Sequence, residues 1–125
     1  MNVYLDNAST SFPKPKAVCD SMYNFIANIG GNSGRSNHTN ALESNRYVFD
    51  TRENIASFFN FPKIENVVFT NNITSSLNIL INGILKKGDH VITSSIEHNS
   101  VIRPLWNLKE ANIIDLDIAE ANSLG

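Results

Sequence analysis

The chain has 125 residues, the usual size of one compact domain, with 42% hydrophobic and 18% charged side chains. That apolar content supports a buried core and excludes intrinsic disorder. Ten basic against twelve acidic side chains give a net charge of −2, which offers no electrostatic basis for binding nucleic acid or anionic lipid. The single cysteine excludes an internal disulfide, and neither His nor carboxylate spacing indicates a metal site.

No stretch approaches the roughly 18 apolar residues of a membrane span. Residues 1–6 also lack the basic-then-apolar order of a signal peptide. We therefore expect a cytoplasmic protein that does not enter a membrane, and one cysteine suits that reducing compartment.

The first predicted element is a helix that begins at Lys16. Its apolar residues recur at steps of three and four, and Gly30 with Gly31 ends the pattern. Cys19 lies within this helix, and we expect it to be a small, buried or half-buried apolar side chain.

A polar loop rich in Gly, Asn and Ser follows and carries Arg35 and His38. The spacing of Asn40 and Glu43 is typical of a capping box and predicts the start of a second helix. Its apolar stripe runs to about Asn60. A loop this polar belongs either to the surface or to a site.

From Ile64 the pattern alternates between strand and helix. The predicted order is a strand at 67–69, a helix at 77–85, a strand at 90–94, a helix at 99–110 and a strand at 113–116. Such a series predicts right-handed crossovers between parallel strands, whose carboxyl ends share one rim. Ligands usually bind at that rim.

Two features at the predicted rim could carry chemistry. Thr74 lies in a polar segment where a strand passes into a helix, and free N–H groups at a helix start suit a phosphate, although capping by Asn72 explains the same residues. His98 follows the next strand and could stack on an aromatic cofactor, move a proton or be structural. Both are expected to face one crevice, a pattern typical of a phosphorylated aromatic cofactor, although no glycine-rich nucleotide motif is present.

Other polar residues have weaker interpretations. Arg35 could hold a carboxylate beside His38, or both could be ordinary surface residues. We predict a structural role for His90 at a strand entrance. Asp115 and Asp117 alternate with an apolar residue and are expected on the polar face of the last strand.

Four ordered segments resemble the N-terminal landmarks of cysteine desulfurases in the class V aminotransferase family. They are YLDNAST at 4–10, NSGRSNH at 32–38, VFTNNIT at 68–74 and GDHVITSSIEHNSV at 88–101. The resemblance extends through about Asp117, so it covers almost the whole chain.

The resemblance implies an α/β fold with a three-layer, mostly parallel sheet and flanking helices, part of the fold type I large domain. Residues 1–62 would form an N-terminal segment with two helices and active-site loops, and residues 63–125 an incomplete first βαβαβ part. It also implies pyridoxal 5′-phosphate as cofactor, a homodimer, and conversion of L-cysteine to L-alanine with sulfur transfer to an enzyme persulfide. An acceptor protein, such as one in iron–sulfur cluster assembly, would then take the sulfur.

The resemblance assigns roles to individual residues. Ile73 and Thr74 would bind the cofactor phosphate, with Thr74 supplying its hydroxyl. His98 would stack on the pyridine ring and assist proton transfer, as the one catalytic residue of this chain. The substrate entrance would be lined by Asn7, Ala8, Arg35 and His38, in this subunit's site or its neighbour's.

The sequence departs from the family at Ile73 and Ser75, where Ala and Glu are usual. The lysine that binds the cofactor, the aspartate at the pyridine nitrogen and the persulfide cysteine lie in the family's later sequence. None of the six lysines here occupies such a motif (Lys14, Lys16, Lys63, Lys86, Lys87 and Lys109). We therefore expect the first third of a larger enzyme, inactive alone, with an unpaired strand edge and an uncovered apolar face that favour self-association.

Two alternatives stay open. Another class V enzyme, such as an aminotransferase, a selenocysteine lyase or a racemase, would keep the cofactor and change the reaction. A non-catalytic α/β module that binds an anion or a partner would use the helix start near Thr74 without any cofactor chemistry.

Overall fold

The computed structural model describes residues 3–34 and 37–124. The chain forms two compact units, Met1–Val68 and Phe69–Gly125. The division after residue 62, which the family resemblance implies, stays a prediction.

The first helix of the first unit is α1, Lys16–Asn24, which continues as a π-helical turn over Phe25–Ile29. Gly30 ends it with a φ of 50°, a left-handed conformation that glycine adopts without steric cost. The helix predicted from Lys16 to the glycine pair is confirmed. No residue of α1 is buried, and the apolar stripe reaches the interior only at Ile29 in the π-helical turn. The predicted burial of Cys19 is therefore wrong, since this cysteine is exposed.

The second helix, α2, spans Thr39–Phe58 and confirms the predicted long helix. His38 is its N-cap, and the His38 Nδ1 accepts a hydrogen bond from the backbone N–H of Ala41 at 3.3 Å. Asn40 instead donates from Nδ2 to the backbone oxygen of Ile29 at 2.7 Å. The predicted capping box of Asn40 and Glu43 is wrong because the helix begins earlier and the Asn40 side chain is bonded elsewhere.

The strand predicted at 67–69 is also wrong. A 3-10 turn over Ile64–Asn66 leads into residues without regular secondary structure, and 74% of Val68 is exposed. A strand requires a neighbour to pair with, and no described residue pairs with this segment.

The second unit alternates helices and strands as predicted from residue 73 onward. Its elements are α3, Ile73–Ile84; β1, Asp89–Ser94; α4, Asn99–Glu110; and β2, Ile114–Ala119. The two strands are parallel, with Val91 opposite Leu116, and α4 forms the crossover between them. Parallel strands joined by a crossover helix place both strand ends, and the start of α4, at one edge.

The core of this unit lies where α4 packs on β2. Leu105, Ile114 and Leu116 are buried, and six partly buried residues surround them: Ile81, Leu85, Val91, Val101, Leu108 and Ile113. Burial of this apolar cluster is what holds α3 and α4 against the sheet.

The polar faces of the strands agree with their predicted roles. Asp115 and Asp117 are exposed and alternate with the buried Ile114 and Leu116, and the His90 Nε2 lies 2.9 Å from the Asp117 Oδ2. The two-stranded sheet also leaves Ile92 69% exposed. The uncovered apolar face and the self-association expected from the family resemblance stay predictions.

Candidate functional site

The N-terminus of α3 is closed by Asn72. Its Oδ1 accepts a hydrogen bond from the backbone N–H of Ser75 at 2.8 Å, so the predicted capping role is confirmed. The backbone N–H groups of Ile73 and Thr74 donate to no other described residue. Unpaired amides at the positive end of a helix dipole remain available to an anion.

The hydroxyl groups around this helix start divide into paired and unpaired ones. The Thr70 Oγ1 lies 2.5 Å from the Ser76 Oγ and donates to the backbone oxygen of Asn72 at 2.9 Å. The Thr74 hydroxyl is exposed and bonds to no described residue. Thr74 therefore offers both a backbone N–H and a hydroxyl to a ligand.

His98 is the N-cap of α4 and its ring is fixed by Ser100. The His98 Nδ1 accepts a hydrogen bond from the backbone N–H of Ser100 at 3.1 Å and lies 2.8 Å from the Ser100 Oγ. Ser100 is only 6% exposed, whereas His98 is exposed. The cap thus orients the imidazole and leaves its other edge accessible.

Thr74 and His98 line the same cleft beside α3 and α4, with a volume of about 280 Å³. Its lining residues are Thr74, Asn78, His98, Asn99, Ser100, Arg103, Pro104 and Asn107. The structure therefore brings together the two residues that the sequence placed at one crevice. Ile73 is next to the cleft but does not line it, and 66% of this side chain is exposed.

Arg103 is the charged residue of the cleft that sequence reasoning missed. The described residues that line the cleft include no carboxylate, and Arg103 forms no ion pair with a described residue. Asn99, Arg103 and Asn107 recur at steps of four residues along α4, a periodicity that usually indicates a solvated helix face and so does not single them out as site residues. Together with the hydroxyl and free N–H of Thr74 they make a cleft that is rich in donors and suited to a phosphate.

The residues predicted at a substrate entrance belong to the first unit. Asn7 and Ala8 lie in a turn, where the Asn7 Oδ1 accepts a hydrogen bond from the backbone N–H of Phe12 at 3.2 Å. His38 caps α2. Arg35 lies outside the described residues. The role of these four residues stays a prediction.

Two further properties concern the described residues 3–34 and 37–124. They contain no group of three or more His, Cys, Asp or Glu side chains that could hold a metal ion. None of their helices is both long enough and apolar enough to cross a membrane.

Sequence comparison connects the chain with desulfurases. A probable cysteine desulfurase of Borreliella burgdorferi is 33% identical over 98% of this chain, and one of Methanothermobacter thermautotrophicus is 34% identical over 99%. The chain spans 30% of the length of each of these relatives.

Solved structures show the same relationship. The apo cysteine desulfurase of Thermococcus onnurineus matches 96% of this chain with a TM-score of 0.81 and 29% identity, and a NifS-like protein matches 94% with a TM-score of 0.77 and 25% identity. The chain covers 30% and 32% of these two structures. They confirm the predicted α/β fold class, with the parallel strands and flanking helices of fold type I. The class-V aminotransferase family matches residues 3–125, and the chain belongs to that family.

Proposed function

We propose that this chain forms the cofactor-binding part of a pyridoxal-phosphate-dependent cysteine desulfurase, which converts L-cysteine to L-alanine and transfers the sulfur to an enzyme persulfide. The observation that carries the proposal is the cleft in which Thr74, His98 and Arg103 meet without a carboxylate. Family membership and the desulfurase relatives support the choice of reaction.

The residues of the cleft fit the cofactor. A phosphate dianion needs several donors, and the Thr74 hydroxyl, the free amides of Ile73 and Thr74, and the Arg103 guanidinium provide them. An aromatic ring needs a flat surface, and the capped His98 imidazole offers one. We assign the phosphate to Thr74 and Arg103 and the ring to His98.

Pyridoxal phosphate, when bound, supplies the electron sink on which this family's chemistry depends. The contribution of this chain is to hold the phosphate and orient the ring. The described residues that line the cleft include no lysine, and Lys109, the lysine of α4, donates to the backbone oxygen of Leu116 at 3.2 Å. We therefore assign neither the cofactor-binding lysine nor the persulfide cysteine to this chain, and we expect it to be inactive alone.

The wider setting of the proposal follows from the family resemblance. We propose a homodimer that acts on L-cysteine in the cytoplasm and passes sulfur to an acceptor protein, in iron–sulfur cluster assembly or a related pathway. A single cysteine in 125 residues supports a reducing compartment.

Titration with pyridoxal phosphate and with inorganic phosphate tests the binding part of the proposal. Trp106 is the one tryptophan of the sequence and lies on α4, so its fluorescence is a suitable probe. We expect the cofactor to bind at least about tenfold more tightly than phosphate. Thr74→Val should weaken cofactor binding about tenfold, because a hydrogen bond to a charged group is worth about 1.5–3 kcal/mol. Ser75→Ala, on the same helical turn and outside the cleft, is the matched control.

Other outcomes would contradict the proposal. Equal weak affinities for the two ligands would indicate a generic anion site, and no binding of either would favour an interaction module. Borohydride reduction after incubation with the cofactor should leave no lysine adduct. A stoichiometric adduct on one lysine would overturn the assignment of the reactive lysine to another part of the enzyme.

A further inference from the structure

We propose that Ser100 is a positioning residue that holds His98 in one tautomer, with the proton of the neutral ring on Nε2. His98 then offers the cleft a hydrogen-bond donor and a flat ring, and it does not act as a base through Nε2. The part that concerns the cofactor rests on the proposed function, whereas the tautomer itself does not.

The first argument is the direction of the capping hydrogen bond. A backbone N–H can only donate, so the His98 Nδ1, which lies 3.1 Å from the Ser100 N, must accept and cannot carry a proton. The proton of the neutral ring is then on Nε2. The opposite ring orientation would place a carbon at this point and leave the N–H of Ser100, a residue only 6% exposed, without an acceptor.

The second argument is the Ser100 hydroxyl, which lies 2.8 Å from the same nitrogen. Ser100 is buried, so its hydroxyl has little water to turn towards, and donation to Nδ1 satisfies it. The backbone N–H and the hydroxyl of Ser100 thus both donate to the lone pair of the His98 Nδ1. This arrangement fixes the ring more strongly than a backbone cap alone.

His38 provides an internal comparison. It caps α2 through the same ring nitrogen, but the donor lies three residues on: the His38 Nδ1 accepts from the backbone N–H of Ala41, which has no side-chain donor, at the longer distance of 3.3 Å. The residue two positions after it is Asn40, whose side chain is bonded to the backbone oxygen of Ile29. His38 therefore lacks the second donor, and removal of the Ser100 hydroxyl should affect His98 alone.

The tautomer limits what His98 can do in the reaction. The lone pair of the His98 Nδ1 is engaged, and Nε2 already carries a proton, so a neutral His98 can accept a proton only if the helix cap breaks. In this tautomer a neutral His98 contributes hydrogen-bond donation and stacking, and the proton transfer that the resemblance implies for His98 requires Nδ1 to leave the cap first.

Long-range proton–nitrogen NMR of the chain labelled at histidine tests the proposal without cofactor. At a pH about two units above the ordinary imidazole pKa, the His98 Nδ1 should resonate as an unprotonated nitrogen and Nε2 as a protonated one. The variant His98→Gln identifies the signals. Ser100→Ala should move the two nitrogen shifts towards each other, Ser100→Thr should restore them, and the signals of His38 should remain unchanged.

A protonated Nδ1 in the wild type would overturn the proposal outright, and that measurement needs no variant. Unchanged His98 shifts in Ser100→Ala would show that the backbone N–H suffices and would remove Ser100 from the role. Addition of pyridoxal phosphate separates this inference from the proposed function. A cofactor that fails to bind leaves the tautomer as measured and contradicts only the cofactor assignment.

Discussion

A Cβ atom on Gly31 would lie 2.3 Å from the backbone oxygen of Asn40, so the loop after α1 rests directly on the first turn of α2. Asn40 strengthens this approach because its side chain donates to the backbone oxygen of Ile29. Gly31 and Ile29, on one side of the loop, are therefore both in contact with Asn40 on the other.

Gly31→Ala should lower the free energy of unfolding by about 1–3 kcal/mol, the usual cost of forcing an extra methyl group into a packed site. The neighbours of the added Cβ are backbone atoms, which cannot turn away as a side chain can. Gly34→Ala is the matched control in the same loop, because its nearest contact is an ordinary 3.5 Å to the Asn32 Oδ1. Urea unfolding measures both, and equal midpoints would contradict the close approach.

Ser44→Ala should stabilise the chain. The Ser44 side chain is 2% exposed, and its hydroxyl has no hydrogen-bond partner among the described residues. Removal of a buried, unsatisfied polar group recovers about 1 kcal/mol. Ser57→Ala, an exposed position of α2, measures the gain in helix propensity alone. Thermal or urea unfolding should show a larger gain for Ser44→Ala, and a loss would mean that this hydroxyl has a partner.

Gly83 and Gly88 allow the effect of backbone conformation on stability to be measured apart from the effect of steric crowding. A Cβ at Gly83 or at Gly88 would meet nothing within 4 Å, but Gly88 has a φ of 93°. Gly83→Ala, within α3, should stabilise by about 0.5 kcal/mol through helix propensity. Gly88→Ala should destabilise by about 1 kcal/mol or more, because a side chain strains that conformation. Opposite signs in the urea midpoints are expected, and a shared sign would contradict this explanation.

The helices were predictable from the sequence because apolar spacing and their end signals agree. The bounds of α4 follow the prediction of 99–110, and α2 differs by about two residues at its end. The strand prediction at 67–69 was wrong because an apolar run indicates only that its residues suit burial. Whether they form a strand depends on a partner for their backbone, and no local pattern encodes a partner.

The site was predictable only in part, because only some of its residues carry a local sequence signal. Thr74 and His98 each follow a local signal, and the expectation that they share a crevice is met by the cleft. Arg103 gave no such signal, since a polar residue every four positions on a helix usually indicates a solvated face. The packing of α4 beside α3, set by the buried cluster around Leu105, converts that face into the wall of a cleft.

Asn72 allows the cap and the anion site to be tested separately. Asn72→Ala removes the acceptor of the Ser75 N–H and should lower the free energy of unfolding by about 1 kcal/mol. Asn72→Asp keeps an acceptor and places a negative charge at the start of α3, where the helix dipole favours it, so stability should be maintained or increased. Asn71→Ala, next to the cap and without a hydrogen bond of its own side chain to a described residue, is the control.

For Asn72→Asp, cofactor binding should weaken although stability is maintained or increased. A carboxylate at position 72 lies beside the free amides of Ile73 and Thr74, so it competes with a phosphate for them and repels it. Asn72→Asp should therefore weaken pyridoxal phosphate binding by at least about tenfold, as measured through Trp106 fluorescence, while urea unfolding reports an intact helix. Affinity equal to that of the wild type would show that the phosphate binds away from α3, and the assignment of Thr74 would fall with it.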